Sequence, residues 1–254
     1  MANQAQIALV TGGSRGLGKD MALSLAKKGF DVLLTFHSNA TAANDVVSAI
    51  QQSGRRAVAL QLDVADSASY LQFFERVKDS LHNVFSADKF DFLINNAGTG
   101  LYSAFTDTTE AQFDDMVNVH LKSAYFLTQK ALPLMNDGGA IINISTGLTR
   151  LVYPNYSAYA IMKSAVELLT KYQAKELGAR NIRVNAVAPG AIETDFAGGT
   201  VRDNEHVNKH IASETALGRV GLPTDIGSVV AFLCSAEAYW INAQRIEVSG
   251  GQGI

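Results

Sequence analysis

The sequence predicts an α/β fold: a doubly wound, seven-stranded parallel sheet with helices on both faces. Three observations predict it. Short apolar runs alternate with longer amphipathic segments from end to end, the pattern of parallel strands joined by crossover helices. A glycine-rich turn, "TGGSRGLG" at residues 11–18, follows the first apolar run and opens a helical pattern. No repeat, low-complexity tract or proline-rich linker divides the 254 residues, and the four prolines stand singly, so one domain over 1–254 is expected.

Taken in order, strands are expected at 7–10, 31–35, 57–62, 90–95, 140–145, 183–188 and 245–248. Helical patterns of 15 to 25 residues separate them. Over 109–135, Phe113, Met116, Val117, His120, Leu121, Ala124 and Leu127 recur at three- and four-residue steps, which reads as one helix. Residues 81–89, "LHNVFSADK", read as a surface loop ahead of the fourth strand. The largest irregular stretch, 189–215, is rich in Gly, Asn, Asp and His; a mobile substrate lid over about 190–215 is expected there.

Composition narrows the function. A chain with 47% hydrophobic and 18% charged residues can bury a full core. Its net charge of −3 provides no positive field for nucleic acid or an anionic membrane, so a small-molecule partner is expected. Cys234 is the only cysteine, which excludes an intramolecular disulfide and a cysteine-built zinc site and fits a reducing, cytoplasmic location. The first strand is expected from Ile7, with no charged n-region and apolar stretch of signal-peptide length before it, so no signal peptide is expected, and no segment approaches ~18 uninterrupted apolar residues.

The glycine turn itself reads two ways. Gly12 to Gly16 fit the G-x-S-x-G elbow of a serine hydrolase, with His206 and His210 late enough to complete a triad. That elbow needs an earlier strand whose loop supplies half of the oxyanion hole, and none precedes it. A phosphate cradle needs a strand, bare glycines and a helix N-terminus with free N–H groups, and all three are present. The spacing Gly12, Gly16, Gly18 is G-x-x-x-G-x-G rather than the commoner G-x-G-x-x-G.

Five further segments carry chemistry: "NNAG" at 95–98, Asn118 in "VNVH", Ser145 in "INIS", "YAIMK" at 159–163 and "PGAIET" at 189–194. Tyr159 and Lys163 stand four apart and share a helix face, so the ammonium lies near the phenol and favours its ionised form. Ser145 ends an expected strand, where ligand sites of such sheets gather. Asn118 sits inside an apolar helix, where its amide needs partners. With the glycine turn, these segments in this order resemble the short-chain dehydrogenase/reductase family in its compact form, over essentially the whole chain.

The resemblance implies a Rossmann-like fold and hydride transfer between a nicotinamide and a carbonyl or secondary alcohol. It implies that Tyr159 moves the proton, that Lys163 tunes it and holds the ribose, and that Ser145 positions the oxygen. Asn118 then opens its helix and holds a water that links Lys163 to solvent. Thirteen residues separate Ser145 from Tyr159, one more than in many relatives, which leaves the shape of this pocket wall open. Cofactor contacts are expected from Gly12, Ser14, Arg15, Gly16, Leu17 and Gly18; from Asp63 and Val64 flanking the adenine; and from Asn96, Ala97 and Gly98. Pro189, Gly190, Ile192 and Thr194 resemble the segment that holds the nicotinamide. Asn95 and Asn96 are expected to brace the central strands.

The second strand ends Thr35, Phe36, His37, Ser38, Asn39, with no carboxylate to bind an adenosine 2′-hydroxyl. Arg15 adds a positive charge, so NADP(H) is expected over NAD(H), with His37, Ser38 and Asn39 beside the 2′-phosphate. His206 and His210 lack the pattern of a metal site, and none is expected. His120 reads as a helix histidine and Arg150 as an exposed side chain on the pocket wall. The expected substrate is a 3-oxoacyl thioester, sugar, steroid or small ketone, and the chain is expected to form a homo-oligomer, tetramer or dimer. A catalytically idle, nucleotide-sensing protein on the same fold is the alternative.

Overall fold

The computed structural model describes residues 5–254. Strands β1 (Ile7–Val10), β2 (Asp31–Phe36), β3 (Ala57–Gln61), β4 (Phe90–Asn95), β5 (Met135–Ile144), β6 (Arg183–Pro189) and β7 (Arg245–Val248) form one parallel sheet. Their order is β3-β2-β1-β4-β5-β6-β7. The chain enters at the centre, builds outward to β3, then returns to lay β4 against the other side of β1. The crevice beyond the carboxyl ends of β1 and β4 is therefore the switch point at which ligands bind such sheets.

The helices are α1 (Gly16–Lys27), α2 (Ala40–Gln52), α3 (Tyr70–Phe85), α4 (Glu110–Met116), α5 (Ser123–Ala131), α6 (Ser157–Glu176), α7 (Thr200–Asp203), α8 (Glu205–Ser213) and α9 (Pro223–Cys234). Alternate residues of each strand feed opposite faces, which makes two cores. Ile7 and Leu9 of β1 join Phe73, Val77 and Leu81 of α3. Ala8 and Val10 join Met21 and Leu25 of α1 and Ile226 and Val230 of α9. Helices α1 and α9 meet at Gly227, where a Cβ would lie 2.0 Å from Asp20 Oδ2. No helix among the described residues is long and apolar enough to cross a membrane.

The structure departs from the sequence reading in four places. The single helix expected over 109–135 is α4 and α5 joined by a π-helical turn, Val117–Lys122, and β5 already begins at Met135. Residues Leu81 and Phe85 are not on a surface loop: they are fully buried in α3, whose last two turns they anchor. The segment expected as an irregular lid is largely helical, carrying α7 and α8. Finally, β5 stops at Ile144, so Ser145 lies one residue past the strand.

Candidate active site

The glycine turn is held by its neighbours' backbone and side chains. Gly12 N–H donates to Thr35 Oγ1 at 3.0 Å and Gly13 N–H to the Thr35 carbonyl at 2.8 Å. Thr11 Oγ1 donates to the Ile94 carbonyl at 3.1 Å and accepts from the N–H groups of Asn96 and Ala97 at 2.9 and 3.0 Å. Asn96 Nδ2 donates to the carbonyls of Thr11 and Gly12, so this side chain, expected among the cofactor contacts, is engaged in bracing the turn. Asn95 braces likewise, donating to Thr128 Oγ1 and Asn143 Oδ1. Gly18 is obligatory, because a Cβ would stand 2.1 Å from the Gly12 carbonyl oxygen.

No side chain caps α1 and no acid lies in its first turn, so its leading N–H groups and partial positive charge are left for an anion, with Arg15 exposed at the N-cap. Across the crevice stands the segment after β6. A Cβ on Gly16 would come 3.6 Å from the Thr194 side chain. Gly190 N–H donates to the Val248 carbonyl at 3.0 Å, Ile192 pairs with Gly221, and Thr194 Oγ1 accepts from Phe196 N–H at 3.2 Å. Pro189 ends β6 opposite Val248.

At the end of β2, His37 is exposed and lies 3.6 Å from Asp63 Oδ2, so a carboxylate from the end of β3 reaches the loop that lacks one of its own. Asn39 Oδ1 accepts from Ala42 N–H at 2.9 Å and so caps α2, which removes that oxygen from the partners expected for a ligand. Val64 turns its carbonyl to Tyr70 Oη at 2.5 Å.

Tyr159 and Lys163 are buried on one face of α6, with Nζ 5.8 Å from the phenol ring centroid. Lys163 Nζ donates to the Ile144 carbonyl at 2.7 Å. Burial lowers its pKa to about 8. Burial also pushes the Tyr159 phenol above its ordinary 10, opposed by a hydrogen bond from the Thr146 side chain. The cation was expected to make this phenol more acidic; in the folded chain, desolvation prevails.

Ser145 does not face this pair. Its Oγ donates to Glu167 Oε1 at 2.6 Å, which also receives Thr149 Oγ1 and Arg245 Nε at 2.8 Å each. Successive residues leaving a strand point to opposite sides, and it is Thr146 whose hydroxyl meets Tyr159. Thr146 Oγ1 is itself fixed by Leu148 N–H at 3.3 Å. Asn118 lies in the π-turn, where Ser123 N–H reaches back five residues to the Asn118 carbonyl. His120 packs edge-on to the Tyr159 ring at 5.1 Å, and Phe196 from the lid lies 5.7 Å from the same ring.

Comparison with known proteins decides the family. The profile described as enoyl-(acyl carrier protein) reductase matches residues 12–252. A short-chain type dehydrogenase/reductase of Picea abies is 36% identical, covering 97% of this chain and 92% of its own length. The chain belongs to the short-chain dehydrogenase/reductase family. A hydroxynaphthalene reductase-like protein of Metarhizium brunneum is 34% identical over 97% of the chain and 94% of that protein. The crystal structure of the angucycline C-6 ketoreductase LanV with bound NADP superposes with a TM-score of 0.92 at 36% identity, covering 98% and 96% of the two chains. The protein is thus an oxidoreductase of this family.

The residues present fit the dinucleotide that the family implies. The uncapped, acid-free start of α1 suits a pyrophosphate, and the Thr194 side chain lies close enough to touch a Cβ on Gly16, so the segment after β6 closes on the glycine turn. Gly98 packs against His120: a Cβ there would strike His120 Cε1 at 2.7 Å. Arg150 is exposed, as expected, and is paired to Glu247 and bonded to the carbonyls of Gln252 and Gly253. His210 pairs with Glu214 at 3.6 Å. Sequence reasoning missed Thr146, Glu167 and Phe196. Thirteen rather than fourteen positions from Tyr159 was the available signal for Thr146.

Proposed function

We propose that the protein reduces a ketone on a planar aromatic substrate, using NADPH, with Tyr159 as proton donor. The observation that carries this reading is a buried phenol whose pKa burial raises, with the Thr146 side chain beside it and Lys163 one helical turn away. The hydride is the equivalent that a reduced nicotinamide supplies. As the carbonyl oxygen gains charge it takes the Tyr159 proton, the role of a general acid. Thr146, rather than Ser145, offers a second hydroxyl to that oxygen. Lys163 keeps its cation beside the phenol and has donors left for a ribose hydroxyl, and the open turn at Asn118 leads its proton toward solvent.

The dinucleotide would be held by the N–H groups of Ser14 to Leu17, by Asp63, Val64 and Ala97, and by Pro189, Gly190, Ile192 and Thr194. Arg15, His37 and Ser38 would take the 2′-phosphate. The aromatic side chains support the substrate class. Tyr102 and Tyr156 meet edge-to-face at 5.2 Å and Phe196 stands over Tyr159, surfaces on which flat rings stack. The hydroxynaphthalene in one relative's name is such a fused ring.

The chain pairs with copies of itself. Exposed Ile161, Leu168 and Tyr172 on α6 with Phe113 on α4, and separately Trp240 near the C-terminus, are apolar surfaces of the kind that association covers. Light scattering should return the mass of a dimer or tetramer; a monomer would refute this.

The test of the function is a panel of bicyclic aromatic ketones, 3-oxoacyl thioesters, sugars and aliphatic ketones, each with NADPH and NADH. Fastest turnover is expected with an aromatic ketone and NADPH. Turnover confined to thioesters or sugars, or a preference for NADH, would refute the corresponding part, and oxidation of neither cofactor across the panel would favour an idle binding protein.

A further inference from the structure

His120 is buried, 3% exposed, and its two ring nitrogens differ. Nε2 lies 2.8 Å from the Thr99 carbonyl, which only accepts, so Nε2 carries the proton. Burial, then the charge of Lys163, lower the imidazole pKa to about 3, against the Thr99 bond that raises it, and the ring is neutral. Nδ1 is therefore a lone-pair acceptor. It is fully buried and no group of the protein donates to it. Buried acceptors of this kind are normally met by protein or by ordered water.

His120 also lines a small cavity of about 10 Å³, together with Thr11, Asn95, Ser123, Ala124 and Lys163. That volume holds one water, given at least two polar partners. Lys163 Nζ–H groups beyond the one bonded to Ile144 can donate into it, and Ser123 Oγ, which donates to the Val119 carbonyl, has a lone pair free to accept.

We propose that His120 is a positioning residue: its Nδ1 holds one internal water in this cavity, and through that water it supports the ammonium of Lys163. A fixed acceptor behind the cation offsets part of the desolvation that α6 imposes on it. Lys163 has Tyr159 beside it on its own helix, donates to the Ile144 carbonyl on β5, and shares the cavity with Thr11 after β1, Asn95 at the end of β4, His120 on the π-turn and Ser123 at the start of α5; of these only Tyr159 and His120 titrate. The inference rests on the Tyr159–Lys163 reading of the site but not on any substrate.

The test uses the full protein without ligand. Two-bond ¹H–¹⁵N spectra of histidine-labelled protein should show His120 neutral and protonated at Nε2 throughout the stable pH range. With ¹³Cε-labelled lysine, the signal assigned by its loss in Lys163→Arg should titrate near pH 8. In His120→Leu that midpoint should fall by about one pH unit, in His120→Asn it should return towards the native value, and in Ala124→Val, which fills the cavity with the imidazole in place, it should fall as well. The alkaline limb of kcat/KM for reduction should move with it, whereas a merely structural role would lower activity at every pH and leave the limb in place. A midpoint unmoved in both His120→Leu and Ala124→Val, or a proton found on Nδ1, would overturn the proposal; should His120→Leu fail to fold, Ala124→Val and the tautomer decide. Near-normal turnover in Tyr159→Phe would sink the functional reading and with it the kcat/KM limb, while the His120 tautomer and the Lys163 titration would still decide this proposal.

Discussion

The two halves of the crevice are built from different materials. On the β1–β4 side the crevice offers backbone: glycines without side chains, uncapped N–H groups at the start of α1, and Asn96 bracing the turn. On the β5–β6 side it offers buried side chains, and which of two adjacent hydroxyls faces Tyr159 follows from where β5 ends. A backbone site is tolerant of what surrounds it and intolerant of added atoms. A side-chain site is tolerant of added atoms at its rim and intolerant of a one-residue change in direction.

That contrast can be broken most severely at the phenol. Tyr159→Phe should lower kcat/KM about a thousandfold, within the range general acids contribute, while fluorescence titration finds NADPH affinity nearly unchanged. On the backbone side, Gly18→Ala drives a methyl onto the Gly12 carbonyl and should cost roughly 1–3 kcal/mol of stability in urea unfolding, together with cofactor affinity. Here loss of binding and loss of fold come together, unlike at Tyr159.

Protonation sharpens the comparison further. Lys163 has its folded pKa lowered by burial to about 8, so its ammonium is full below that pH and lost above it. Reductive kcat/KM should therefore decline by about tenfold per pH unit above about pH 8, a limb absent from cofactor binding at the pyrophosphate end. The smallest effect is expected at the rim of the cradle: Arg15→Ala should raise KM for NADPH about tenfold, the value of one charge-assisted hydrogen bond, and leave KM for NADH unchanged. Equal effects on both cofactors would remove Arg15 from the 2′-phosphate.

Backbone function was also the more legible in the sequence. Bare glycines after an apolar run announce a cradle because chain geometry demands them, and the seven strands stand within a few residues of their expected places, β5 excepted. The π-turn was not legible, because the residues Met116, His120 and Leu127 keep a helical spacing while the hydrogen bonding slips to five residues. Phe85 was hidden by the polar residues around it, although it completes the apolar face of α3. The choice between Ser145 and Thr146 depends on the facing Glu167, twenty-two residues away and invisible to local pattern. Arg150 and Phe196 are of the same kind: their partners Glu247 and Tyr159 are brought to them only by the fold.

In the proposed reaction Thr146, not Ser145, shares the substrate oxygen with Tyr159. It is tested most directly by kcat/KM for Ser145→Ala and Thr146→Val measured side by side with the best ketone and NADPH. Loss of a hydrogen bond to a developing charge should cost Thr146→Val on the order of 10–100-fold, while Ser145→Ala, which leaves Glu167 bonded to Thr149 and Arg245, should stay within about threefold of the native enzyme. A large loss in Ser145→Ala with Thr146→Val near normal would contradict the account.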